Sequence, residues 1–170
     1  MGKGPRDGYR QRRRPESRCD CGFGPFPRAE ELLSAMRGER AVSNPLARWA
    51  SQLAETHRGA CAPWHIVPVG ERPCSRIELI DAIDLWVVGQ VRHHRDDRAV
   101  HTETIGSVID HMAAAHVRAE ALLRESLPAR DPRIHATWHR LAELVNGYDD
   151  LVSAVVDGER RLPVAVGGSL

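Results

Sequence analysis

A chain of 170 residues has room for one domain with a sizeable core plus a tail. Its 24 Lys and Arg are balanced by 23 Asp and Glu, which removes any global charge argument for a polyanionic partner. No apolar run approaches the roughly 18 residues of a membrane span, and no hydrophobic stretch follows the basic start, so it does not read as a secretory signal. Four cysteines in that setting read as reduced thiols, and a cytoplasmic location is expected.

In chain order, residues 1–27 are rich in Gly, Pro and Arg and nearly devoid of aliphatics. Such a segment buries too little apolar area to offset its ordering entropy, so a disordered tail is expected there. Its first 18 residues hold seven basic side chains against Asp7 and Glu16, leaving the rest mildly acidic. The RQRRRPESR run could touch phosphates. It has no aromatic stacking platform or reading helix behind it, and a solubilising extension is the preferred reading over nucleic-acid binding.

From Arg28 the pattern turns helical. RAEELLSAMR carries acids in its first turn and Gly38 behind it. Asn44 followed by Pro45 is an N-cap with proline at the first helical position; it opens a helix presenting Leu46, Trp49, Leu53 and His57. Residues 58–74 read as a long irregular connection, in which His65–Val69 alone could be extended. Ser75 and Glu78 form a capping box at the head of a third helix, with a stripe of Ile80, Ile83, Val87 and Val91 beside Trp86. The charged stretch His93–Arg98 closes it.

A fourth helix is expected from Thr102 to Ser126, with a seam of Ile105, Val108, Ile109, Met112, His116, Ala119, Leu122 and Leu123. Asp131 and Pro132 open a fifth. Ile134, Trp138, Leu141, Val145, Tyr148, Val152 and Val155 recur there at alternating spacings of four and three, a helix of roughly seven turns. Gly147 sits within this run and reads as a point of close helix approach. These elements predict an all-α fold: an antiparallel helical bundle of four to five helices over 28–163, behind a basic tail and before a flexible end at 164–170.

Chemistry concentrates on the fourth helix. Opposite its seam lies a second stripe of Glu103, Ser107, Asp110, Ala114, Val117 and Ala121. Its small residues suggest contact on two sides, placing Glu103, Ser107 and Asp110 in a cleft or interface. On the fifth helix His135 and His139 stand one turn apart, the spacing at which two imidazoles reach one divalent metal ion. Carboxylates of Glu103 and Asp110 would complete that site; boundary histidines that bond to carboxylates without metal are the preferred alternative. A non-metal acid–base site of Glu103, Ser107, Asp110 and His139 is the third reading. No organic cofactor is expected. Cys19, Cys21, Cys61 and Cys74 lack a zinc-site spacing and read as unrelated thiols.

The stretches HTETIGSVID (101–110), HATWHRLAEL (135–144), GYDDL (147–151) and RRLP (160–163) resemble a bacterial helical family catalogued as domain of unknown function 4254. ELLSAMRG, NPLARWASQLAETH and ELIDAIDLWV resemble its actinobacterial branch, so the resemblance spans roughly residues 29–163. It implies a small α-helical protein, brings no established reaction, and points again to Glu103, Gly106, Ser107 and Asp110. The expected role is an accessory or interaction module in a bacterial pathway, homodimeric through the Gly106, Ala113 and Ala114 face. A small acid–base or metal-dependent bundle enzyme is the alternative, and a nucleic-acid-associated protein the second.

Overall fold

The computed structural model describes residues 24–39, 43–59, 75–91, 97–125, 128 and 130–163. The described residues form five helices: α1 (Ala29–Met36), α2 (Pro45–His57), α3 (Arg76–Gln90), α4 (Ile105–Arg124) and α5 (Pro132–Val156). The all-α expectation holds. Among the described residues the one β pairing is an isolated parallel bridge between Val100 and Arg161. No described helix is long and apolar enough to cross a membrane. The basic run, all four cysteines, His65–Val69 and residues 92–96 lie outside the described residues.

Helix starts follow local chemistry. The Asn44 side chain accepts the Leu46 N–H ahead of Pro45. Ser75 and Glu78 exchange both bonds of the capping box, and the Asp131 side chain accepts the Arg133 N–H. α4 begins three residues later than its sequence suggests, because Thr104 is its cap and accepts the Ser107 N–H. Gly38, at φ 74°, ends α1: its N–H bonds Ala35 O and that of Glu39 bonds Ser34 O. This left-handed turn is strained for any residue with a Cβ.

α4 is the centre of the bundle and packs against each of the other four helices. Its seam residues Ile105, Val108, Ile109, Met112, His116, Ala119 and Leu122 are buried. The seam fails at its end, where Leu123 is exposed, and Trp138 on the facing helix is 42% exposed. No residue of α5 before Leu141 is buried. The heptad spacing thus runs on past the core, since a periodic stripe fixes a face but not whether a neighbour covers it. On α3 the buried face is Leu79, Ile83 and Val87; Ile80 and Val91 are only partly covered.

The core also takes in Phe26 and Pro27, which average composition assigns to the tail. Phe26 packs edge-on against Trp86, ring centroids 5.8 Å apart, and the buried Tyr148 hydroxyl donates to Pro27 O at 3.0 Å. Asp149 accepts the Ala29 N–H at 2.9 Å, capping α1 where its own N-cap, Arg28, offers no side-chain bond. The GYDDL motif of α5 therefore clamps the start of the fold.

Two helical glycines, Gly147 and Gly106, reverse their expected roles. At Gly147 an added Cβ would meet nothing within 4 Å among the described residues, so no close approach occurs there between them. At Gly106 a Cβ would lie 2.7 Å from both Asp84 Oδ1 and Ile80 O. Here α3 and α4 touch backbone to side chain, and Asp84 accepts the Gly106 N–H at 2.8 Å. Gly106→Ala should destabilise the fold by about 1–3 kcal/mol, read as a lowered denaturation midpoint. An unchanged midpoint would refute this close-packing account.

Candidate functional site

Asp110 is buried to 1% exposure in the middle of α4. Two helices deliver hydrogen-bond partners to it. His57, in the last turn of α2, brings Nε2 within 2.8 Å of Asp110 Oδ1. Arg76, the first residue of α3, donates from Nε to the same oxygen at 2.8 Å and from Nη2 to the other. This paired arrangement is the strong form of the guanidinium–carboxylate contact. Burial pushes the Asp110 carboxyl up, but the hydrogen bonds and charges of Arg76 and His57 outweigh it and hold the group below the ordinary aspartate range.

A second polar group lies further along α4. Glu120 accepts from Arg58 Nη2 at 3.0 Å, and the same nitrogen reaches Met36 O at 2.8 Å, tying α2 and α4 to the end of α1. His116 is buried, with Nε2 3.2 Å from Glu120 Oε1. The approach is off-line, so this nitrogen has no hydrogen bond among the described residues. Desolvation lowers the His116 pKa; the Glu120 charge raises it again, and Arg58 and Arg37 lower it further. The ring is neutral at neutral pH.

Asp84 is the third buried polar residue, and its pKa is raised. Burial outweighs the hydrogen bonds from Thr104 and Gly106. Its role is to hold the start of α4 against α3.

The sequence-predicted site residues separate. Asp110 is enclosed as expected, but by α2 and α3 and not by the histidines of α5. Glu103 is exposed, and its carboxylate lies 3.6 Å from His111 Nδ1. Ser107 is half-buried and spends its backbone N–H on the Thr104 cap, its Oγ lying 3.2 Å from Thr104 Oγ1. His135 and His139 are exposed on α5, and His139 meets Glu143 of its own helix at 3.5 Å. Among the described residues no group of three or more His, Cys, Asp or Glu side chains is placed to hold a metal ion. The histidine pair fails to converge with Asp110 because α5 turns that side to solvent. Of the Gly106, Ala113 and Ala114 face, Gly106 is filled by Asp84 and Ile80 and Ala113 is fully buried, while Ala114 is half-buried.

Sequence reasoning missed His57 and Arg76 as site residues, although both left a signal. His57 ends an apolar stripe, where a polar ring must find a partner or solvent, and Arg76 sits inside the capping box.

With this geometry in hand, the family comparison adds a frame. The model of a protein family of unknown function, DUF4254, matches residues 72–164, and the chain belongs to that family. The match spans α3 to α5 and includes Arg76, Asp84, Gly106 and Asp110, while His57 lies before it. No curated protein and no solved structure matches the chain.

The buried groups set the response to acid. A histidine with a depressed folded pKa contributes stability that is full above the ordinary histidine value and fades as pH falls through it. Asp110, also depressed, contributes above the ordinary aspartate range and loses its share as pH drops through its lowered value. Asp84, with a raised pKa, works in the opposite direction. Acid lability should begin near the ordinary histidine value, about 6.5, owing to His116. In His116→Leu this first decline should flatten in a plot of urea midpoint against pH, and an unaltered slope would remove His116 from the account.

Proposed function

We propose that this protein is an interaction module that pairs with a second copy of itself along one side of α5. The observation that carries this reading is that the exposed side of α5 is complementary to itself when reversed. Arg133, Ala136, Arg140, Glu143, Gly147 and Asp150 share one side of the helix at helical spacing, and all six are exposed. Two antiparallel copies about a two-fold axis would set Arg140 opposite Glu143, Ala136 opposite Gly147, and Arg133 opposite Asp150. Symmetry repeats each contact.

Charge and shape support the same register. Glu143 already stands between Arg140 and His139 of its own helix at 3.6 and 3.5 Å, so it can turn to an equivalent arginine across the axis with little cost. Arg133 is held by Asp131 and keeps further N–H groups for Asp150 of a second copy. Gly147 is the sharper sign. A glycine inside a helix costs about 1 kcal/mol relative to alanine, and none of the described residues occupies the space its Cβ would fill. A second helix backbone passing over Gly147 and Ala136 supplies a reason for it.

Sedimentation velocity over a range of concentrations tests the pairing. Arg140→Glu and Glu143→Arg should each weaken self-association by about tenfold or more, and the double variant should restore it. A wild-type chain that sediments as a monomer throughout, or an Arg140→Glu variant indistinguishable from it, overturns the reading.

A further inference from the structure

We propose that His57 and Arg76, both held on the buried Asp110 carboxylate, form a receptor for a phosphate monoester. An ionised carboxylate only accepts hydrogen bonds, so His57 Nε2 must carry the hydrogen that reaches Asp110 Oδ1. Nδ1, on the other edge of the ring, has no partner printed among the described residues. Arg76 spends Nε and one Nη2 hydrogen on Asp110. Its remaining guanidinium hydrogens point away from the carboxylate, and its side chain is 51% exposed. A ring nitrogen and several guanidinium donors are thus fixed on a common anchor.

That pairing selects the chemistry of the guest. Arg76 asks for an oxyanion. His57 asks either for a hydroxyl on the same group, when neutral, or for a second anionic oxygen, when protonated. A phosphate monoester meets both requirements, because its second ionisation falls near pKa 6 and both of its protonation states are present around neutrality. A plain carboxylate can serve only the protonated ring, because at neutral pH it has no proton to give the neutral one. Asp110 cancels the charge of Arg76, so a protonated His57 would leave the cluster one net positive charge toward the guest. Arg76 also opens α3, and the positive end of that helix lies beside it. Stability alone gives little reason for the cluster, since a buried ion pair seldom outperforms apolar residues of the same size.

The test is a titration of the full chain with inorganic phosphate at fixed ionic strength and neutral pH. It is followed by the nitrogen resonances of the histidine rings, with His57 assigned from His57→Gln. The expected result is a saturable shift of the His57 ring that acetate at equal concentration does not reproduce. Arg76→Gln should weaken phosphate binding about tenfold, while Arg48→Gln on the exposed side of α2 should leave it unchanged. An unmoved His57 resonance in the wild-type chain overturns the proposal without recourse to any variant. So does an equal shift with acetate, or phosphate binding that survives both His57→Gln and Arg76→Gln.

Discussion

Because α4 is packed against the four other described helices, it has little surface left for water, and apart from His116 the polar groups it carries inward are answered from a neighbour. Asp110 is answered by α2 and α3, Glu120 by α2, and the N–H of Gly106 by α3. A buried polar group without a partner costs of order 1–3 kcal/mol, so these bonds fix the neighbouring helices in position as well as in contact. An apolar seam alone tolerates sliding by a turn. A carboxylate that must meet one guanidinium and one imidazole does not.

The same constraint explains the TETIGSVID stretch residue by residue. Thr104 caps the helix, Gly106 admits the Asp84 carboxylate and the Ile80 carbonyl, Ser107 completes the cap, and Asp110 gathers His57 and Arg76. Three of these four act on how α4 is started and seated. Asp110 alone faces groups that retain unused hydrogen-bonding capacity, and that separates it chemically from its neighbours in the motif.

Much of the fold was legible because it is written in local chemistry. Asn44–Pro45, Ser75–Glu78 and Asp131–Pro132 announce helix starts with side chains that bond their own backbone, and each behaves as its residues dictate. Asp110 could be singled out because a carboxylate on a stripe of small residues implies cover. Its partners could not. His57 and Arg76 are 53 and 34 residues away in sequence, and no periodicity within α4 says which neighbour's cation will arrive. Gly106 and Gly147 show the same limit: both are glycines on helices, and only the neighbouring atoms tell a filled contact from an open one.

The clamp that α5 places on the start of the fold has a bearing on the order of assembly. The first turn of α1 borrows its cap from Asp149, and Pro27 gives its carbonyl to Tyr148, contacts that span 120 and 121 residues of chain. During synthesis from the amino end, α1 leaves the ribosome long before either side chain exists. An eight-residue helix is too short to persist unaided in water. Its docking therefore belongs to the last events of folding, after the carboxyl-terminal helix has emerged, and the earliest-made part of the domain is among the last to become native.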